Sequence, residues 1–315
     1  MREPPTHVSD AELLELVRRL WAPDADLADH LPVGFGAHHW RVEAGGRPIL
    51  FATLDALGSR HTHDTLERAY AGAAALAGQG LEFVLAPVPT SEGRLTALVA
   101  GGALSAAPWY DGSTGDGPLS TPDEIAESAG FLARLHGAVP PDFLPQWAPL
   151  VPPDFAHTLA ATLSGPWETG PYGERARAAL AEHLDEIGRW TASYHRLAEL
   201  ATRRPWVATH GEPHTRNRLR TASATYLVDW ESLKLAPRER DFATLLDTGL
   251  GWLPDYGIDA PSWEMAELFD LEWRLDEIKQ YAEWFRAPHT GTESDRVAIE
   301  GLVGELQRPD WRVPA

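Results

Sequence analysis

The segment 210–231 constrains this chain more than any other part of its sequence. It places the carboxylate of Glu212 and the amide of Asn217 five residues apart in a predicted loop. An apolar strand, residues 226–228, then leads to Asp229, twelve residues after the amide. A fold that uses all three side chains must bring the loop and the strand end together. Such a group suits Mg²⁺-dependent phosphoryl transfer, in which an acidic group orients the attacking hydroxyl and an amide and a carboxylate oxygen hold the metal.

Composition excludes several other classes of protein. The chain has 315 residues, a formal net charge of −19 and no cysteine, so disulfides, thiolate metal sites and a cysteine nucleophile are excluded. The negative charge would repel nucleic acid. No apolar run approaches the roughly 18 residues of a membrane span, and the first residues lack the apolar core of a secretory signal. We therefore expect a cytoplasmic protein with no nucleic acid, membrane or obligate protein partner.

The order of predicted elements indicates an α+β protein with two lobes. A helix, three β runs, a second helix and two further strands come first, followed by a linker and a mainly helical remainder. In that order the elements span residues 10–21, 30–35, 38–43, 48–54, 62–77, 82–88, 94–109, 112–120 (the linker), 123–137, 174–203 and 261–286. We predict a small antiparallel β lobe over residues 1–110 and a larger helical lobe over residues 111–315.

The loop and strand together resemble the H-G-D-x-x-x-x-N motif and strand Asp of the aminoglycoside phosphotransferase family, which is related to the protein kinases. The resemblance implies a bilobal protein-kinase-like fold and the use of Mg²⁺ with ATP or GTP. It assigns the catalytic carboxylate to Glu212 and the metal ligands to Asn217 and Asp229. This chain departs from the motif in one position, because Glu212 stands where the family has Asp.

Three further residues near the motif are candidates for supporting roles. Glu231 would point to the same side as Asp229 if the strand continues, so it is either a second Mg²⁺ ligand or a solvated carboxylate. His210 is expected to anchor the loop through its ring. By the same resemblance, Asp241 hydrogen-bonds the backbone of the catalytic loop; it is also a candidate helix N-cap, and the two readings describe similar contacts.

The small lobe carries the predicted nucleotide site. Gly34 and Gly36 lie between two predicted strands, where glycines let backbone N–H groups approach phosphate oxygens, although an ordinary hairpin explains two glycines equally well. His38 adjoins this loop and is a candidate phosphate contact. Trp109 and Tyr110, where the β lobe joins the helical lobe, complete the set.

The third strand lacks the lysine that kinases use to bind the α- and β-phosphates. Thr53 occupies its expected position, and Glu67 in the following helix would be the partner that lost its cation. The chain's two lysines, Lys234 and Lys279, lie far downstream. Arg41 or Arg60 are the cations that would neutralise the phosphates instead.

Two functions therefore remain open. One is a nucleotide-dependent kinase of a small-molecule hydroxyl. The other is a kinase-fold protein without phosphotransfer, either a nucleotide-binding regulator or a protein whose cleft serves another reaction. Thr53 favours this second function, and Asn217 and Asp229 favour the first.

Aromatic and acidic residues near the C-terminus are candidates for substrate binding. Carboxylates beside indole rings suit protonated amines, although packing of the helical lobe explains the tryptophans as well. The predicted contacts are Trp252, Asp255, Trp273, Glu277, Tyr281 and Trp284. Within the family, this region looks most similar to the spectinomycin phosphotransferase branch. That likeness implies an aminoglycoside- or aminocyclitol-like substrate, in antibiotic resistance or natural-product biosynthesis.

Overall fold

A five-stranded antiparallel sheet dominates the N-terminal part of the chain. The computed structural model describes residues 1–34, 36–58 and 60–310. The strands are β1 (Leu27–Leu31), β2 (His38–Ala44), β3 (Arg47–Ala56), β4 (Thr96–Val99), β5 (Gly102–Pro108), β6 (Gly112–Ser113), β7 (Val207–Thr209), β8 (Arg218–Thr221), β9 (Thr225–Leu227) and β10 (Lys234–Ala236). The large sheet has the order β1-β2-β3-β5-β4, while β10 pairs with β7 and β8 lies between β6 and β9.

The helices account for most of the remaining chain. They are α1 (Asp10–Leu20), α2 (His63–Gly78), α3 (Pro122–Gly137), α4 (Phe155–Thr162), α5 (Gly173–Glu182), α6 (Leu184–Ala201), α7 (Glu239–Ala243), α8 (Trp263–Arg286) and α9 (Glu293–Gln307). The predicted α+β class with an antiparallel sheet is confirmed. Among the described residues, no helix is both long and apolar enough to cross a membrane.

Internal contacts divide the chain into two compact units. The first comprises Met1–Trp147 and Trp206–Ala260, and the second comprises Ala148–Pro205 and the described residues from Pro261 onward. The first unit contains both the five-stranded sheet and the whole segment 210–231. The predicted boundary between residues 110 and 111 stays a prediction.

Alternation along β2 gives the sheet two different faces. Trp40 and Val42 are fully buried against α1, where the Trp40 indole donates to the Asp10 carboxylate at 2.8 Å. Because successive strand residues point to opposite faces, His39 lies on the other face, directly opposite Thr53 of β3. This second face also carries Asp55, which faces α2.

Buried residues recur every three or four positions along α2, and this spacing places Tyr70 against the sheet. Its hydroxyl donates to the Asp55 carboxylate at 2.7 Å, and both side chains are buried. Burial raises the pKa of Asp55 to about 7 against an ordinary value of 3.8, an effect that the Tyr70 hydrogen bond opposes. A phenol–carboxyl contact therefore joins β3 to α2, the two elements on which the resemblance placed the kinase Lys–Glu pair.

The first half of the chain departs from prediction in two segments. Residues 82–88 form no strand, because Pro87 and Pro89 lack the N–H donors of a ladder, and Val84 makes only an isolated bridge to Leu227. Residues 94–109 form two strands instead of one, since the chain turns back at Gly101, where φ is 79°.

The helical remainder departs in three further segments. The helix predicted over residues 174–203 is interrupted at His183, which separates α5 from α6. Helices α4 and α9 were not predicted.

The second unit packs mainly on α8. The Arg274 guanidinium, fully buried, lies 4.5 Å from the Trp190 ring and pairs with Asp310 at 2.8 Å. The Trp284 indole donates to Asp295 of α9 at 2.8 Å. Both contacts tie α8 to later parts of the chain.

The buried Asp55 carboxyl should make stability depend on pH. Between pH 3.8 and about 7 the unfolded chain releases this proton while the folded chain keeps it, so the free energy of unfolding should fall as pH rises. The slope is at most about 1.4 kcal/mol per pH unit. Asp55→Asn keeps an acceptor for Tyr70 and removes the titration.

The unfolding free energy of the wild type minus that of Asp55→Asn should therefore decrease from pH 4 to pH 7. Urea denaturation in metal-free buffer measures it. Asp24→Asn, at an exposed position, is the matched control and should show no such trend. A parallel pair of stability curves for wild type and Asp55→Asn would contradict the raised pKa.

Candidate active site

The loop that follows β7 has a conformation that only glycine permits at its second residue. Gly211 has φ of 101°, and a Cβ there would lie 2.3 Å from a guanidinium nitrogen of Arg240. That guanidinium donates to the side chain of Thr209 at 3.1 Å. The sharp bend brings Glu212 and the following residues back over the end of β7.

Asp241 fixes this loop from below. Its buried carboxylate accepts the backbone N–H groups of His210 at 3.2 Å and Gly211 at 2.6 Å, and a third hydrogen bond joins it to His136 Nε2 at 2.9 Å. Burial alone would raise the pKa of Asp241, but His136 and the loop N–H groups hold it below its ordinary value. The carboxylate is therefore ionised, and it joins α7 to the loop after β7 and to α3.

The His210 ring joins the loop to the segment that carries Asp229. Its Nε2 donates to the carbonyl of Val228 at 2.8 Å, and its Nδ1 accepts the N–H of Glu212 at 3.2 Å. Burial lowers the pKa of His210 to about 4, so the ring is neutral and keeps both contacts. This places His210 as the loop anchor that the sequence suggested.

Two hydrogen bonds join Asn217 to the catalytic loop and to Val228, the residue before Asp229. Its side-chain amide nitrogen donates to the backbone carbonyl of Glu212 at 3.0 Å. Its backbone carbonyl accepts the N–H of Val228 at 2.9 Å. With the nitrogen engaged, the amide oxygen is the atom of Asn217 that would face a cation.

Asp229 does not lie at the end of a strand, because β9 ends at Leu227. Asp229 instead has φ of 70°, and it is the one non-glycine residue with positive φ in the described chain. Asp tolerates this left-handed region better than most residues, and such strain clusters at functional sites. The strand assignment was wrong, and the backbone reversal is what brings Glu231 next to Asp229.

The two carboxyl groups of this turn influence each other strongly. Burial raises the pKa of Glu231, and the charges of Asp229 and Glu212 raise it further. The pKa of Asp229 is raised by its enclosed position and then by Glu212. Yet the Asp229 side chain stays open to solvent, so the group is enclosed by protein but reachable.

These groups fit a divalent cation that also binds phosphate. Oε2 of Glu231 is buried without a hydrogen-bond partner among the described residues, and mutually repelling carboxylates gain from a cation. No cluster of three or more acidic, histidine or cysteine ligands is preformed in the described chain. Mg²⁺ sites of this kind use one or two protein oxygens and take the rest from phosphates and water.

Glu212 keeps its charge within this acidic group. Burial would raise its pKa, but His214, whose Nε2 lies 3.6 Å from Oε2 of Glu212, and the charge of Arg60 lower it below the ordinary value. An ionised carboxylate is the form that accepts a proton from a hydroxyl. His214 was not predicted as a site residue, although it lies within the motif.

The residues predicted to bind nucleotide divide between the two faces of the sheet. Gly34 and Gly36 have φ of 69° and 97°, and Phe35 between them lies outside the described residues. Thr53 Oγ1 lies 3.2 Å from Nδ1 of His39. His38, by contrast, lies on the α1 face with its ring 6.2 Å from that of Trp40. Strand alternation therefore places His39, and not His38, on the face of Thr53.

The remaining small-lobe candidates already have partners. Arg41 pairs with Asp29 at 3.1 Å and Glu43 at 2.8 Å. The Glu67 carboxylate accepts the N–H groups of Leu95 and Thr96, both at 2.9 Å, so it secures the start of β4. Their roles toward a nucleotide stay predictions.

Trp109 and Tyr110 lie where the sheet ends. The backbone N–H of Trp109 donates to the Ile49 carbonyl at 3.0 Å. The Tyr110 ring stacks on that of Tyr226, with 4.9 Å between ring centres. Neither contact blocks or demonstrates nucleotide binding, and the assignment of both residues stays a prediction.

The predicted substrate residues lie in both compact units. Trp252 contacts the ring of Tyr256 at 6.3 Å in the first unit, where Asp255 is exposed. In the second unit, Trp273 and Glu277 are half-buried on α8. A Cβ at Gly301 of α9 would lie 2.5 Å from the Tyr281 hydroxyl, so Tyr281, like Trp284, packs against α9. Substrate contact by these residues stays a prediction.

Sequence reasoning missed His136 and Arg240. His136 sits in an ordinary helical pattern at the end of α3, and Arg240 lies in a charged run around α7. Only the three-dimensional contacts with Asp241 and Thr209 reveal their roles.

Comparison with known proteins is consistent with this geometry. Residues 11–293 match the model of the phosphotransferase enzyme family. Protein StrN of Streptomyces griseus is 30% identical over 260 residues, which cover 76% of this chain and 77% of that protein.

Solved structures of similar fold include two small-molecule kinases. A spectinomycin phosphotransferase in complex with ADP and spectinomycin superposes with a TM-score of 0.72, at 16% identity, over 96% of each chain. A microcompartment-associated aminopropanol kinase has a TM-score of 0.58, at 17% identity, over 94% of this chain and 95% of that one. These likenesses confirm the predicted kinase-like fold. With the match over residues 11–293 and the similarity to StrN, they show that the chain belongs to the phosphotransferase enzyme family.

Proposed function

We propose that this phosphotransferase moves the terminal phosphate of ATP or GTP to a hydroxyl of a small, polar, amine-bearing natural product. The observation that carries the proposal is the grouping of Glu212, Asn217 and Asp229 within one compact unit, with the first of them ionised. Nucleotide use is supported by the ADP-bound neighbour of the same fold.

The residues would divide the chemistry among them. The Asn217 amide oxygen and the Asp229 carboxylate would hold Mg²⁺, which when bound neutralises charge on the nucleotide phosphates. The Glu212 carboxylate orients the acceptor hydroxyl and takes its proton. The hydroxyl oxygen then bonds to the terminal phosphorus as the bond to the nucleoside diphosphate oxygen breaks.

The additional methylene of Glu212 is compatible with this role. His214 lies beside the carboxylate and holds it at one edge, so the longer side chain has a defined position. The side chain is about a quarter exposed, which leaves a path for an acceptor.

An amine-bearing acceptor fits the charge of the protein. The net charge of −19 favours cationic ligands over anionic ones. The similar structures named above are a spectinomycin phosphotransferase and an aminopropanol kinase, and both compounds combine a hydroxyl with an amine. We therefore place aminocyclitols and small amino alcohols first among substrates, in resistance or biosynthesis.

Loss of the metal-binding carboxylate should abolish transfer without unfolding the protein. Asp229→Asn keeps the side-chain shape and tolerates φ of 70°. It also removes one charge from a repelling group, so we expect equal or higher thermal stability in metal-free buffer. The value of kcat should fall by about 10²–10³-fold or more, as when a charge-stabilising group is removed from an active site.

Coupled-enzyme detection of nucleoside diphosphate, with a panel of amino alcohols and aminocyclitols, measures the transfer. Asp24→Asn, at an exposed position, is the isosteric control and should keep full activity. Wild-type rates in Asp229→Asn would end the proposed mechanism. If the wild type binds Mg²⁺–nucleotide in a thermal-shift titration but phosphorylates no acceptor, the kinase-fold protein without transfer becomes the better description.

The catalytic carboxylate should act on turnover more than on nucleotide binding. Glu212→Gln preserves the shape beside His214 and removes the proton acceptor, so kcat should fall by about 10²–10⁴-fold. The KM for nucleotide should change less than threefold. Glu212→Asp keeps the charge but withdraws it from His214, and we expect an intermediate rate.

Steady-state kinetics on the three proteins separate these effects. Equal losses in Glu212→Gln and Glu212→Asp would assign Glu212 a positional role rather than proton transfer.

A further inference from the structure

The face of the sheet that carries Thr53 also carries a histidine with two defined neighbours. His39 Nδ1 lies 3.2 Å from Thr53 Oγ1, at the position where the lysine was expected. On its other side, a Cβ at Gly34 would lie 3.0 Å from Nε2 of His39. The imidazole therefore spans the distance between the missing lysine and the glycine loop.

The orientation of this ring is fixed by packing. The Phe51 ring stacks on it at 5.0 Å with an interplanar angle of 28°. When Thr53 donates its hydroxyl proton to Nδ1, the remaining ring proton resides on Nε2. Nε2 is the ring nitrogen that lies next to Gly34.

Other side chains near the loop are less suited to binding phosphate. Arg41 is already paired with Asp29 and Glu43, so its charge is compensated. Arg60 lies within electrostatic range of Glu212. His38 lies on the opposite face with Trp40.

We propose that His39, oriented by Thr53, donates its Nε2 proton to a phosphate oxygen of the bound nucleotide in place of the absent lysine. The inference rests on the proposed nucleotide-dependent function, and it adds a residue and a role. Thr53 becomes the group that holds the ring at Nδ1, as the hydrogen-bond donor in the tautomer that leaves the proton on Nε2, and Gly34 becomes the residue that lacks a Cβ next to Nε2.

The proposed contact is neutral, unlike that of a lysine. Burial lowers the pKa of His39 to about 3, so the ring carries no charge at physiological pH. A neutral donor gives direction but little charge compensation, which leaves the metal to balance the phosphates. Nucleotide binding should therefore depend on Mg²⁺ more steeply than in a kinase with the strand lysine.

Isothermal titration of purified variants tests the proposal. His39→Ala should raise the Kd for Mg²⁺–ADP, or Mg²⁺–GDP if guanine is preferred, by about five- to tenfold. The Kd for the matching nucleoside, which lacks phosphate, should change less than twofold. His39→Gln places an amide N–H near the position of Nε2 and should restore binding to within threefold of wild type.

Two further variants separate a phosphate contact from structural damage. Thr53→Val keeps the shape of the side chain and removes the partner of Nδ1, so we expect an increase in Kd of a few fold. His63→Gln alters a matched His–Thr pair, 3.0 Å from Thr96 at the start of α2, and should leave binding unchanged.

Each outcome has a defined meaning. Equal loss of nucleotide and nucleoside binding in His39→Ala, or a larger effect of Arg41→Ala than of His39→Ala, would overturn the role of His39. Wild type that binds nucleotide and transfers phosphate, with His39→Ala unaffected, overturns this inference but not the proposed function. Wild type that binds no nucleotide overturns both.

Discussion

The buried carboxylate of Asp241 is the contact on which the active-site geometry depends. It holds two successive backbone N–H groups of the catalytic loop and the ring of His136 in α3. The loop, once fixed, lets the His210 ring reach the carbonyl before Asp229. The position of the loop that carries Glu212 thus depends on one ionised side chain.

A second constraint is the concentration of negative charge above that base. Burial and the charge of Glu212 raise the pKa of Asp229, and burial together with Asp229, Glu212 and Asp55 raises that of Glu231. The pKa of Glu212 is held low by His214 and Arg60. Such a group is unfavourable until a cation or protons enter it. A cation that arrives with a ligand would relieve this repulsion, as the proposed function requires.

Sequence predicted the parts of the molecule that local patterns control. The helices α1, α2 and α8 and the strands β2 and β3 were accessible from periodicity and turn residues. The strand over residues 82–88 was wrong, because two prolines outweighed its apolar composition. The backbone reversal at Asp229 was also inaccessible, since no local rule forces a left-handed Asp after a short strand.

Partners of side chains were harder to predict than their positions. By resemblance, Thr53 and Glu67 occupy the positions of the kinase Lys–Glu pair. The residues that join β3 to α2 are instead Asp55 and Tyr70, two and three positions further along. A shift of two in a strand keeps the same face, and a shift of three in a helix keeps nearly the same side. Sequence thus identified the faces of β3 and α2 that meet, while the identity of the contacting side chains depended on tertiary packing.

The contact between Tyr70 and Asp55 has a consequence for behaviour in salt. A lysine–glutamate pair weakens as ions screen opposite charges, over a distance of about 8 Å at physiological ionic strength. The Tyr70–Asp55 hydrogen bond joins a neutral phenol to a buried carboxyl group, so it contains no pair of opposite charges to be screened. The attachment of α2 to the sheet should accordingly be insensitive to ionic strength, whereas the repulsion among Glu212, Asp229 and Glu231 should weaken as salt is added.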